Sequence, residues 1–223
     1  MLWHPETGRT EEVSYRIDNG KTTVSLDMLP SDALFVVFSE KTEKQEYDVE
    51  KSRASVFCRI DSPWEVTFFP SSDPALYGKP QAEGGKTIVV DHLGSYTESD
   101  DADIRYYSGT AIYRNTFRLS KKDLSQGRFI LDLGEVGCMA DVFINGQPIA
   151  TLWKAPYRTD ITDALRKGEN EIEIHVVNQW VNRIVGDQQP DCEYPVTYTP
   201  VKFYEAASPL LPAGLMGPVS ILK

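Results

Sequence analysis

"NEIEIHVVN", residues 170–178, sets Ile172, Ile174 and Val176 against Glu171, Glu173 and His175. Strict alternation of apolar and polar side chains is the period of an extended strand, so this stretch predicts a β-strand with one face in a core and the other in water. The same period recurs on either side. In "AIYRNTFRL", residues 111–119, Ala111, Tyr113, Phe117 and Leu119 share a face with Asn115, while Arg114, Thr116 and Arg118 take the other. "RFILDLG" (Phe129, Leu131, Leu133) and "ADVFING" (Ala140, Val142, Ile144) read alike. Asn19-Gly20 and Asn145-Gly146 are dipeptides that readily accept positive φ at both centres of a type I′ turn, and each predicts a tight hairpin. The convincing helical signal is "TDITDALRKGEN", where Asp160 or Thr162 can cap a single turn, Arg166 and Lys167 suit its C-terminal end and Gly168 stops it. The expected fold class is all-β.

Short strands separated by turn signals over residues 62–223 predict a β-sandwich of the jelly-roll type. Residues 1–61 read as a small, partial β region with strands near 12–17, 22–28 and 34–39, followed by the charged stretch "SEKTEKQEYDVEKSR" as a surface linker or exposed strand. Three strands on so short a chain bury too little surface to stand alone, so this region reads as the tail of a domain that begins upstream.

Composition narrows the partners. The 33 Asp and Glu outnumber 23 Lys and Arg for a formal charge of -10, and no basic run follows a phosphate backbone, so no nucleic acid is expected. No apolar run approaches bilayer length, and "MLWHPETGRTEEV" has neither the basic nor the apolar region of an export signal, so no membrane partner is expected. Cys58, Cys138 and Cys192 lack a C-x-x-C pair and allow at most one disulfide, whose partners the sequence leaves open.

Several chemistries lack the residues they need. "PQAEGGKT", residues 80–87, approaches a phosphate-binding loop, but Pro80 replaces the first glycine and the segment runs into a strand-like "TIVVD" instead of a helix. His4, His92 and His175 stand apart, which removes a zinc site and a histidine triad. In "TESDDADIR", Asp100, Asp101 and Asp103 are weak calcium candidates beside Glu98, since clustered carboxylates suit a hard cation; their spacing fits no EF-hand, and a solvated loop is the plainer reading. Calcium is the one cofactor this reading admits. No carboxylate pair stands out for glycosidic chemistry, and no catalytic residue is assigned.

Trp153, Tyr157 and Trp180 are more informative, because sugar rings stack their C–H faces on flat side chains while their hydroxyls bond to polar neighbours. "LWKAPYR" and "NQWVNRIVGDQQ" (residues 178–189) supply both, with Arg183, Asp187 and Gln188 as the polar partners. The competing reading has the tryptophans plugging the core, with Trp180 behind an Arg183–Asp187 pair that staples a loop.

The runs "YYSGTAIYRNTF", "LDLGEVGCMADVFINGQPIATLWKAPYRTDITDALRKGENEIEIHVVNQWVNRIVGDQQ" and "PAGLMGPVSIL" together resemble the galactose-binding-like jelly roll of large bacterial glycoside hydrolases. The chain is similar to the C-terminal region of family 106 α-L-rhamnosidases and, more distantly, to the sugar-binding domain of family 2 glycoside hydrolases, with "LWHPETG" and "ALFVVF" extending the likeness to the N-terminus. The resemblance implies a catalytic barrel elsewhere in the parent enzyme as partner, carbohydrate as ligand, and a periplasmic or secreted location. It implies an accessory role for this chain, with a free-standing carbohydrate-binding module as the alternative. It also points to the segments around 96–103 and 208–217 as the edges that reach substrate, and to "PLLPAGLM" as part of the surface that meets the barrel.

Overall fold

The computed structural model describes residues 1–39, 41–49, 54–69, 85–125, 127–193 and 195–223. The chain divides into two units, Met1–Ala54 and Ser55–Lys223.

The first unit carries two small antiparallel sheets. β1 (Leu2–Trp3), β2 (Thr10–Glu11), β3 (Tyr15–Asp18), β4 (Lys21–Val24), β5 (Phe35–Val36) and β6 (Glu46–Tyr47) arrange as β2-β1-β5 and β4-β3-β6. The Asn19-Gly20 turn joins β3 to β4 with φ of 50° and 72°, as the dipeptide predicts. β6 falls within the charged stretch expected to be a surface linker or exposed strand; it is a strand, pairs with β3, and Tyr47 donates to Glu12. Among the described residues of this unit, Leu2 is the one buried apolar side chain.

The second unit is a β-sandwich. Its strands are β7 (Val56–Arg59), β8 (Trp64–Phe68), β9 (Lys86–Val90), β10 (Thr110–Leu119), β11 (Ile130–Asp132), β12 (Glu135–Val136), β13 (Met139–Ile144), β14 (Gln147–Leu152), β15 (Arg158–Asp160), β16 (Gly168–Val177), β17 (Leu215–Gly217) and β18 (Ser220–Leu222). One sheet runs β14-β13-β16-β10-β8-β9 and a second β15-β11-β18-β7, with β12-β17 as a short ribbon. The unit begins before the expected residue 62, because β7 pairs with β18 in the second sheet. The near-phosphate motif cannot be traced in full, since Pro80–Gly84 of it lie outside the described residues; Lys86 and Thr87 start a strand, without the helix that motif needs.

The long pair β10–β16 stays in register from Thr110↔Val177 to Leu119↔Gly168, and the predicted alternation decides what goes inside. Ile172, Ile174 and Val176 face Ala111, Tyr113, Ala140, Val142, Leu131 and Ile221 in one buried cluster drawn from both sheets. The outer face bonds to itself: Glu173 accepts from Arg114 Nε at 2.6 Å and meets His175 Nε2 at 2.6 Å. Burial raises the Glu173 carboxyl pKa, but those two partners outweigh it and hold the group below its usual range. Asn145-Gly146 makes the β13–β14 hairpin with φ of 52° and 76°, and the predicted helical turn is a 3₁₀ turn, Thr162–Ala164, with Asp160 accepting from Thr162 N at 2.9 Å. All three cysteines are free.

Among the described residues the unit also carries three short α-helices: α1 (Ala102–Arg105), α2 (Lys121–Leu124) and α3 (Val181–Asp187). α3 lies inside "NQWVNRIVGDQQ", where a loop was expected. The polar residues there have a common task. No strand lies between α3 and Leu215 among the described residues, so backbone groups in that stretch need partners from side chains. Asn182 exchanges hydrogen bonds with both backbone groups of Leu211, each 2.8 Å, and Gln189 donates to Ala206 O at 2.9 Å. Asp187, with 1% of its side chain exposed, takes Arg183 on Oδ1 at 2.6 Å. Its Oδ2 accepts from Val196 N, Thr197 N and Thr197 Oγ1 at 3.0, 2.6 and 2.5 Å. Upstream, Asn178 accepts from Gly109 N and donates to Tyr107 O, each at 2.9 Å.

Two stability outcomes follow from this packing. Ile174→Ala should cost about 2–5 kcal/mol in denaturant unfolding, because both transfer and cavity terms apply at a fully buried site, whereas Glu171→Ala on the wet face should change it by under about 0.5 kcal/mol. Asp187→Ala should cost about 3–5 kcal/mol, since it strands the Arg183 guanidinium and three donors at once, and it should open residues 197–206 to proteolysis.

Candidate functional site

Loops between the sandwich strands enclose a cleft of about 590 Å³, lined by Thr97, Glu98, Glu135, Tyr157, Pro212 and Met216 among others. Its walls are irregular, and hydrogen bonds hold them. Ser95 caps the 3₁₀ turn Tyr96–Glu98, its Oγ accepting from Thr97 N at 3.4 Å and from Ala213 N at 3.0 Å, while Tyr96 N donates to Ala213 O at 3.1 Å. Across the cleft Gly137 N donates to Gly214 O at 2.9 Å and the Tyr157 hydroxyl to Cys138 O at 2.8 Å. Partial burial pushes the Tyr157 phenol above its ordinary pKa, so it stays a proton donor. Gly134 has φ of 66°, and a Cβ there would come within 2.4 Å of the Gly217 backbone, so only glycine lets the two segments meet beneath the cleft.

Chemically the cleft combines an apolar patch (Val136, Leu210, Pro212, Met216) with hydroxyls and two exposed carboxylates, Glu98 and Glu135. Neither carboxylate has an ion-pair partner among the described residues. An apolar floor with acceptors around it suits a polyhydroxylated ring.

Of the six residues singled out for sugar contact, one lines the cleft. Tyr157 lines the cleft, and Trp153 and Trp180 do not. Both tryptophans are surface residues, 54% and 51% exposed, so neither plugs the core; Trp180 stands outside α3 at its N-terminal end, where a buried position behind the Arg183–Asp187 pair was expected. That pair is present, but every strong acceptor position of Asp187 is taken inside the protein. Gln188 closes α3, its N–H shared between Val185 O and Gly186 O. Of the calcium candidates, Asp101 caps α1 by accepting from Asp103 N at 3.0 Å and pairs with Lys86, whose hydrogen bond holds its carboxyl below the usual range. Among the described residues no three His, Cys, Asp or Glu gather to hold a metal, and no helix is long and apolar enough to cross a membrane. "PLLPAGLM" is divided, with Leu211 exposed and Ala213 and Leu215 in the core. Residue types alone did not mark Glu135 or Met216, which reach the cleft only through the β12–β17 pairing. The segments named from the resemblance, around 96–103 and 208–217, contribute Thr97, Glu98, Leu210, Pro212 and Met216 to the lining.

Comparison with known proteins gives this geometry a context. A rhamnosidase from Novosphingobium sp. PP1Y superposes with a TM-score of 0.80 at 39% identity, covering 99% of this chain and 20% of that one. A putative beta-glucuronidase from Formosa agariphila is 37% identical over 182 residues, or 71% of this chain and 15% of that protein. A β-glucuronidase from Ruminococcus gnavus, solved with C6-substituted uronic isofagomine, shares the fold at a TM-score of 0.51 and 16% identity, over 79% of this chain and 30% of that one. The chain thus spans a minor part of each relative, as the sequence resemblance to α-L-rhamnosidases and family 2 enzymes led one to expect. Residues 93–206, half of the 223, match the family model for the glycosyl hydrolase 2 galactose-binding domain-like fold, and the chain belongs to that family.

Proposed function

We propose that this chain is an accessory, non-catalytic β-sandwich region of a larger glycoside hydrolase of the α-L-rhamnosidase kind, packed on that enzyme's catalytic barrel and touching carbohydrate at its loop cleft. The observation that carries the proposal is the first unit's missing core. With Leu2 the one buried apolar side chain among its described residues, it exposes Trp3, Met28, Leu29, Phe35 and Phe38, and a surface of that composition is stable only when something covers it. A barrel supplied by the rest of the parent enzyme is the cover this reading assigns, in a periplasmic or secreted setting where polysaccharide is met. Exposure of Trp153 and Trp180 favours a second reading, a free-standing carbohydrate-binding module that stacks sugars on those rings.

The purified chain should release no chromophore from nitrophenyl α-L-rhamnoside or β-D-glucuronide and should bind an apolar dye. Phe35→Ser with Phe38→Ser should lower the dye signal while leaving the sandwich's melting unchanged. Turnover that Glu98→Gln or Glu135→Gln abolishes would contradict the accessory reading and make the cleft an active site.

A further inference from the structure

The polar cluster holds in place a piece of chain that the cleft does not use. Thr197 is tied to Asp187 and Ala206 to Gln189, neighbouring positions at the end of α3, so the two ends of residues 197–206 are drawn together. A loop of about 6–16 residues closed at its base is an Ω-loop, a form that often carries function. A second pair of bonds stiffens the returning end: Ser208 N donates to Glu205 O at 2.9 Å and Glu205 N to Ser208 Oγ at 2.9 Å. At its crest stand Tyr198 and Phe203, 85% and 76% exposed, the two most exposed large apolar side chains among the described residues. Thr199, Pro200, Val201, itself 55% exposed, and Lys202 lie between them.

These two facts pull in opposite directions unless the crest has a ligand. Burying a carboxylate to fix a loop is expensive, and leaving large aromatic faces in water gains nothing for folding. A recognition loop needs both, because a base ordered in advance spares binding the entropy of ordering it, and tyrosine and phenylalanine offer large rigid faces with few rotatable bonds. We infer that residues 197–206 are a glycan-binding crest, separate from the cleft, on which Tyr198 and Phe203 stack against the C–H faces of pyranose rings while Thr199 and Lys202 take hydroxyls. Thr199 and Lys202 interrupt the exposed apolar run of Tyr198, Pro200, Val201 and Phe203, so each ring has a polar neighbour, as a sugar requires. The choice of a glycan rests on the glycoside-hydrolase reading above; the anchored geometry does not.

The test is electrophoresis of the full chain through gels containing rhamnogalacturonan I, followed by titration calorimetry with the same polysaccharide. Wild type should be retarded, and Tyr198→Ala with Phe203→Ala should weaken binding about tenfold while the melting temperature stays within about 2 °C, since both side chains are exposed. Tyr198→Trp with Phe203→Trp should bind at least as well as wild type, and Glu98→Ala with Glu135→Ala should still be retarded. Unretarded wild type, or retardation lost in the cleft variant and kept in the crest variant, would overturn the inference. So would self-association in sedimentation that the crest variant abolishes without any glycan binding, which would make the crest a protein surface. Failure here leaves the accessory reading standing, because that reading falls only on turnover.

Discussion

Backbone amides and carbonyls that leave a sheet must find partners elsewhere, and in this protein that requirement governs everything outside the strands. Among the described residues the stretch between α3 and β17 has no ladder, so Asn182, Asp187 and Gln189 reach from one short helix and its end to bond it at Leu211, Thr197 and Ala206. The same logic builds the cleft walls, where Ser95 bonds the Ala213 amide and glycines at 134 and 217 permit close approach. A polar cluster beside a clean strand is therefore mostly scaffold for loops, and the surfaces available for binding are those the scaffold displays.

Asp187 shows how the energetics decide this. An isolated buried carboxylate is strongly unfavourable, and its pairing with Arg183 alone does little more than offset that cost. Three further donors from Val196 and Thr197 make the arrangement sustainable, and they also make it selective for one loop position. The sandwich core needs no such device, since strand alternation alone places Ile172, Ile174 and Val176 inside.

The sandwich could be read from the sequence because its signals are local. Period-two alternation in residues 111–119 and 170–178 and the two Asn-Gly turns each specify their own geometry within a few residues. What escaped was non-local or contradicted a default. α3 hides among polar residues, although Val181, Ile184 and Val185 have helical spacing that a closer count would have found. Trp180 and Asp187 invert the usual rule, with the tryptophan exposed and the aspartate buried, the latter because it accepts from the backbone of Val196 and Thr197. β7 joined the sandwich through pairing with the C-terminal strand, which no local pattern announces.

The claim on which the rest turns is that side chains of α3 hold an irregular loop as firmly as a strand ladder would. Residue-resolved hydrogen exchange at Val196 and Thr197 measures it directly, because both amides bond to the buried Asp187 carboxylate rather than to water. Protection of these two amides comparable to that of the β10–β16 ladder is the expected result. Exchange at the rate of an unstructured peptide would mean the staple does not hold, and would remove the physical basis for a preorganised crest.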